Sequence, residues 1–231
     1  MYFDWTYVYL VLPAFVLALI ASAGVKSTFA KYNRQMSASG ITGAEAARRI
    51  LYANGLTNVT IERINGSMTD HYDPRANVIR LSQAVYDGSS TASIGVAAHE
   101  VGHALQYAEG YAPIKLRAAI IPITNIGSTL AIPMVFIGII FASFSKIFIS
   151  VAYAGILFFA LSTVFQLLTL PVEFNASRRA LNSIEAQGML SGNELTGSKR
   201  VLRAAAMTYV AALAVSVAQL LRLLLIVRRN D

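Results

Sequence analysis

The residues in this chain best suited to chemistry are five in a row, His99-Glu100-Val101-Gly102-His103. Residues four apart on a helix sit about 6 Å apart on one side. In helical form the two imidazoles therefore converge on a single point while Glu100 stands on an adjacent flank. Such an arrangement offers Zn²⁺ two nitrogen ligands and keeps a carboxylate within reach of water at the ion, where it can act as a general base. With only three His (His71, His99 and His103) and seven Glu in the chain, the pattern arises by chance on the order of once in a thousand such chains. The bland alternative is two hydrogen-bonded His on a helix that merely packs. Cysteine is absent, so there is no disulfide framework and no thiolate ligand, and a transition-metal site must be built from His and carboxylates.

A catalytic zinc commonly takes three protein ligands and a water, so a third ligand is needed. Glu109 lies six residues after His103, where a metzincin-type pattern would place its last ligand. That pattern needs a Gly at the turn, and Gln106 stands there. If the helix continues through Gln106, Glu109 rotates off the metal face. Glu173 is the better candidate, in Pro171-Val172-Glu173-Phe174-Asn175-Ala176-Ser177-Arg178-Arg179-Ala180. It is the acid directly beyond a long apolar run. Two such runs separate it from His103, and an even number of crossings returns the chain to the same membrane face. Its alternative role is to offset a helix dipole from the first turn, with Pro171 opening a new helix or marking a kink.

The elements that must position these residues follow from the patterning. Thr42 and Glu45 are spaced as a capping box for a helix that should stop near Asn54-Gly55. Residues 58–64 alternate and are rich in β-branched side chains; Asn65-Gly66 reads as a tight turn, followed by a second extended stretch through Tyr72. Asp73-Pro74 marks another turn, residues 78–81 a short strand, and residues 87–91 a polar break. From there the spacing predicts a helix over 92–108, closed by Gly110, that carries the His-Glu-x-x-His residues.

Composition sets the surroundings. Of the 231 residues, 55% are hydrophobic and 13% charged, against about a quarter charged in an ordinary soluble domain. Four apolar runs, 5–25, 118–144, 147–170 and 204–227, are each long enough to cross about 30 Å of hydrocarbon. The second contains Pro122 and Pro133, where it should bend or break. In the fourth, Ser216, Gln219 and Arg222 fall on one stripe that should face protein or headgroups. The first lacks the basic start and cleavage site of a signal peptide and reads as a retained anchor.

The net charge of +7 does not point to nucleic acid. Ten of the nineteen Lys and Arg lie between Lys26 and Arg117 and five between Arg178 and Arg203, beside the apolar runs. This positive-inside pattern puts the polar segments in the cytoplasm and the N-terminus outside. Arg228 and Arg229 then violate the rule, which would make the fourth run re-entrant or interfacial. The expected fold is therefore a mostly α integral membrane protein with about four transmembrane helices and a small α/β zincin-like lobe. Its segments are an anchor over 1–25, a cytoplasmic lobe over 26–117, a transmembrane hairpin over 118–170, a cytoplasmic helical segment over 171–203 carrying the third ligand, and a C-terminal transmembrane or interfacial helix over 204–231. Three Asn-x-Ser/Thr sequons, at Asn58, Asn65 and Asn175, would stay unmodified in the cytoplasm. The Arg178-Arg179 pair reads as a membrane-surface anchor and not as a substrate clamp.

With these residues in place, the sequence resembles the YugP-like bacterial membrane zinc metallopeptidases along nearly its whole length. The likeness is carried by the N-terminal anchor, Asp70-His71-Tyr72-Asp73-Pro74, Ile79-Arg80-Leu81-Ser82, the helix His-Glu-Val-Gly-His-Ala-Leu-Gln, and Pro171-Val172-Glu173-Phe174. It is also similar to the CAAX prenyl-peptidase and heat-shock membrane protease group, in which a later Glu-x-x-Ala-Asp helix supplies the third ligand; here the match is Glu173-x-x-Ala176-Ser177, with Ser in place of the acid. The resemblance implies a multi-pass protein of the cell membrane that hydrolyses peptide bonds in a peptide or membrane-protein substrate. It further implies zinc on His99, His103 and Glu173, with Glu100 taking a proton from water and passing it to the leaving amine. The oxyanion needs further donors. His71 or Tyr72 could supply one from an extended segment whose edge could also pair with substrate. Two rivals remain: a non-catalytic scaffold or chaperone stapled by zinc, with His71 as the fourth ligand of a closed site, and a transporter with a metal-bound gate.

Overall fold

The structure, a computed structural model, describes residues 4–230. The first three residues of the anchor expected over 1–25 and the last residue of the segment expected over 204–231 lie outside them. The described residues are mostly helical, with four helices long and apolar enough to cross a membrane and a small mixed sheet. In order, a π-helical turn (Tyr7–Val11) leads into α1 (Leu12–Tyr32), α2 (Gly43–Ala53), β1 (Thr60–Ile64), β2 (His71–Asp73), β3 (Val78–Ser82) and α3 (Gln83–Tyr86). There follow α4 (Thr91–Ala108), α5 (Ala112–Ile140), α6 (Lys146–Ala186) and α7 (Gly192–Asn230).

These elements form two compact units. The first is made of the stretch up to Ala21, Leu116–Leu170, and the stretch from Thr208 onward. Its core is Val135, Ala152, Ile156, Leu223 and Val227. Small residues bring its helices together: a Cβ on Gly138 would lie 2.5 Å from the Ala152 Cβ, and one on Gly155 2.7 Å from the Ala131 carbonyl oxygen, the close approach that lets apolar helices pack where no water drives them together. Large apolar side chains such as Leu17, Ile20, Ile126 and Ile140 are left exposed, as a lipid-facing surface requires. The polar stripe of the fourth run faces protein, as expected. Ser216 Oγ lies 2.8 Å from Thr163 Oγ1, and Arg222 bonds Asp4 at 2.6 Å.

Expectations about three of the helices are corrected. α5 runs unbroken through Pro122 and Pro133. Thr124 Oγ1 donates to the carbonyls of Ile120 and Ile121 in the turn beside the first proline. Pro171 does not start a new helix: it lies inside the 41-residue α6, so the third apolar run and the segment bearing Glu173 are one element. α7 is likewise continuous over 39 residues, with none of the reversal that a re-entrant segment needs.

The second unit comprises Ser22–Lys115 and Pro171–Met207. Thr42 Oγ1 accepts from the Glu45 amide at the start of α2, but the Glu45 carboxylate turns to Arg48 and Arg49, so only half of the capping box forms. Ala46, Ala47, Ile50 and Leu51 of α2 are buried in one cluster with Ile79 and Leu81 of β3, Ile94, Ala98 and Val101 of α4, and Ala180 and Ile184 of α6. The sheet order is β1-β3-β2, with β1 parallel and β2 antiparallel to β3. The Asn65-Gly66 turn therefore does not join paired strands. The reason lies in β3: Val78, Ile79, Leu81 and Ser82 are all buried, which claims the central position, while the half-exposed β1 and β2 take the edges.

Candidate metal centre

The metal-binding pattern sits on α4, opened by Ser90, whose Oγ accepts from the Ser93 amide, and ended by Gly110 in the left-handed region at φ 68°. These are a polar N-cap and a glycine terminator at the places where a helix leaves backbone groups unpaired. The helix is 18 residues long, and its register puts His99 and His103 on one face. What brings α6 to that face is the absence of a side chain at position 102. A Cβ there would lie 2.5 Å from the Ala176 carbonyl oxygen, a distance real side chains do not tolerate. Glycine opposite Ala176 lets the two backbones nearly touch, and Glu173, one turn before Ala176, arrives opposite the imidazoles.

The donor atoms of His99, His103 and Glu173 all lie within 4.8 Å of one another. Glu173 Oε2 is 3.2 Å from His99 Nε2 and 3.6 Å from His103 Nε2, and the rings stand edge to face with centroids 4.7 Å apart. Four ligands at bond lengths of about 2.1 Å around a tetrahedral zinc are separated by about 3.4 Å, and these two separations straddle that value. The electrostatics agree. Burial disfavours the charged form of His103, yet the Glu173 and Glu100 carboxylates outweigh it and hold its pKa above the ordinary value. A cluster that retains a proton against burial favours positive charge, which a divalent cation supplies more strongly. The residues fit a zinc ion. Glu173 is only 3% exposed and Glu100 7%. Among the described residues the Glu100 carboxylate accepts no hydrogen bond, which leaves it available to a proton.

A supporting shell, not anticipated from the sequence, fixes which imidazole nitrogen faces the centre. Arg179 donates from Nη1 and Nη2 to the two Glu109 oxygens at 2.6 and 2.7 Å, and from Nε to Asn175 Oδ1 at 2.7 Å. Gln106 Nε2 donates to that same Asn175 oxygen and to the Val172 carbonyl. With both amide hydrogens committed, Gln106 turns Oε1 to His103 Nδ1 at 3.0 Å. The Nδ1–H therefore donates, and the Nε2 lone pair is left for a metal. On the other imidazole, Ser177 Oγ stands 3.1 Å from His99 Nδ1. Ser177 thus stands, as a neutral partner, where the Glu-x-x-Ala-Asp pattern has its acid.

The remaining candidates are placed as follows. Glu109 is spent on Arg179, which holds its carboxyl below the ordinary range, so it is not a ligand. Arg179 is correspondingly an internal tie between α6 and α4 and not a membrane-surface anchor. His71 is exposed, its Nδ1 2.8 Å from the Thr69 carbonyl oxygen, and it is not among the clustered donors. The Tyr72 hydroxyl donates to Asn77 Oδ1, and its ring leans on Tyr107 of α4 at 5.7 Å. Both residues lie on β2, an edge strand of the sheet. Gln106 and Ser177 had a sequence signal in their spacing, three residues after His103 and four after Glu173, but its meaning depends on the contact between the two helices.

Comparison with known proteins adds a family. The one described as "Putative neutral zinc metallopeptidase" matches residues 7–228. A curated relative from Bacillus subtilis (strain 168), named "Putative membrane protease YugP", is 47% identical over 221 residues, covering 95% of this chain and 96% of its own. No solved structure matches.

Proposed function

The chain belongs to the neutral zinc metallopeptidase family that matches it from residue 7 to residue 228, and from that premise we propose that it is a multi-pass membrane endopeptidase with a zincin-like site. His99, His103 and Glu173 would hold the zinc, and Glu100 would serve as general base. The observation that carries this reading is the number of donors: three gather at one point among the described residues. A structural zinc is usually closed by four protein ligands, whereas a catalytic one keeps a position open. His71, the fourth ligand that a stapled scaffold would use, is occupied elsewhere.

When bound, zinc supplies Lewis acidity that polarises a scissile carbonyl and makes a water molecule acidic near neutral pH. The protein does the rest. Ser177 and Gln106 hold the two imidazoles by Nδ1 so that Nε2 points inward. Glu173, anchored in the continuous α6, contributes the anionic ligand. Glu100, one residue from His99 on the same helix, takes a proton from the attacking water on a carboxylate oxygen and delivers it to the nitrogen of the leaving amine. Burial of Glu100 and Glu173 excludes competing solvent and strengthens each of these interactions. The Lys and Arg distribution supports a site on the cytoplasmic face, acting on peptides or on segments of membrane proteins.

The test is metal removal. Detergent-purified protein cleaves members of a mixed peptide library; treatment with a zinc chelator abolishes cleavage, and equimolar Zn²⁺ restores it. Cleavage that survives complete removal of zinc, or its absence in the fully loaded protein, contradicts the proposal.

A further inference from the structure

One groove in the second unit is not used by the chemistry above, and two of its lining residues, Phe174 and Ser177, adjoin the clustered donors by chain or by hydrogen bond. It has a volume of about 560 Å³ and runs along α6 and α7, with Phe174 and Ser177 at one end and Glu185 further along. Ser177 is shared: its hydroxyl holds His99, and the same residue lines the groove. Phe174 is the neighbour of Glu173 in the chain and is 44% exposed. The groove's residues on α6 recur every three or four positions, so they form one stripe. From Phe174 to Glu185 that stripe is about 16 Å long at the helical rise, the length of about five residues of extended peptide.

The lining is two-sided in character. Leu202 and Ala206 are buried in the floor, while Arg178, Lys199 and Arg203 line it with their cations. None of these three has an ion-pair partner among the described residues, and Glu185 is the one acid among them. Some basic side chains elsewhere in the same unit are paired: Arg179 with Glu109, Arg80 with Asp73 and Glu62, Arg63 with Asp87. Three unpaired cations over an apolar floor are complementary to an extended segment that alternates apolar and acidic side chains. An anionic lipid headgroup shares part of that chemistry. However, every residue lining the groove belongs to the second unit, and none to the helical stretches of the first.

Resting on the peptidase reading, we infer that this groove is a substrate subsite that receives an extended peptide leaving the zinc centre, and that Arg178, Lys199 and Arg203 make the enzyme select acidic residues on that side of the scissile bond.

The test uses full-length protein in detergent and three fluorescent peptides that differ only in the residues flanking the cleaved bond on one side, which are Glu and Asp, Gln and Asn, or Lys. Both flanks are tried in turn. Binding is measured by anisotropy on zinc-loaded Glu100→Gln protein, so no cleavage intervenes. On one flank the acidic peptide binds roughly tenfold tighter than the amide peptide, and the gap narrows as salt rises. Adding R178E with K199E inverts the order, so that the Lys peptide binds best, while zinc content stays that of the parent. The milder R203Q alone weakens the acidic preference and guards against a misfolded double variant. Equal binding of acidic and amide peptides on both flanks, or a preference that survives charge reversal, overturns the inference. It is also overturned if the variants alter association with phosphatidylglycerol nanodiscs relative to phosphatidylcholine ones while leaving the peptide preference intact, which assigns the groove to lipid. The two readings fail separately: cleavage by unaltered protein without any charge preference removes the subsite alone, whereas an acidic preference in binding with no cleavage of any peptide removes the peptidase.

Discussion

Glu100→Gln leaves the zinc content of the protein at its original level and lowers peptide turnover by roughly 10³-fold. The carboxamide has the shape of the carboxylate, so the packing of a residue that is 7% exposed is preserved. What changes is proton affinity: an amide oxygen cannot take a proton from water near neutral pH, and the amide N–H is far too weak an acid to protonate a leaving amine. Glu100 is not one of the three clustered donors, so the metal should not register the substitution. Zinc measured by atomic absorption alongside library cleavage separates the two effects. Undiminished turnover removes Glu100 as the base. Loss of zinc along with turnover makes Glu100 part of the grip on the metal.

Glu173→Gln has the opposite signature, and here zinc itself is lost. The carboxylate oxygen lies 3.2 and 3.6 Å from the two imidazole nitrogens, and it is the only anionic donor of the cluster. A neutral amide in its place removes the charge that offsets the ion's desolvation, so zinc affinity falls by more than roughly 100-fold, the upper end of what loss of an outer-shell partner costs. Because zinc bound only to the native state stabilises it by mass action, the variant also loses the rise in melting temperature that zinc gives the parent protein. Glu109→Gln is the informative comparison. It releases Arg179 and loosens the Asn175–Gln106 relay to His103 without touching a ligand, so its effect on affinity should stay within roughly 10–100-fold.

What could be read from the sequence was what depends on local spacing. The His99/His103 pair, the N-cap at Thr42, the terminator at Gly110 and the stripe of Ser216, Gln219 and Arg222 each involve residues a few positions apart on one helix. Sequence predicted the helix of the metal-binding pattern over 92–108, and α4 runs from Thr91 to Ala108. Glu173 could be nominated because it follows an apolar run, even though 69 residues lie between it and His103.

Contacts across elements were harder to foresee. The Asn65-Gly66 turn suggested adjacent strands, but burial of both faces of β3 decided the sheet order. Pro171 looked like a helix boundary, and packing carried α6 through it. The relay from Glu109 through Arg179, Asn175 and Gln106 to His103 joins α4 and α6, and no pattern in either segment announces it. Gly102 illustrates the difficulty: within its helix it reads as a weak point, and only the Ala176 carbonyl opposite it explains why no side chain fits there.

The proposed activity needs one ion held jointly by a helix face and by an acid far away in the chain. X-ray absorption at the zinc edge, on the purified protein in detergent, reports that ligand set directly. The predicted spectrum has two imidazoles and light oxygen neighbours at about 2.0–2.2 Å, and the carboxylate contribution disappears, together with most of the bound metal, in Glu173→Gln. Three imidazoles in the parent, or a zinc shell left unchanged by that substitution, would contradict the architecture on which the proposed peptidase rests.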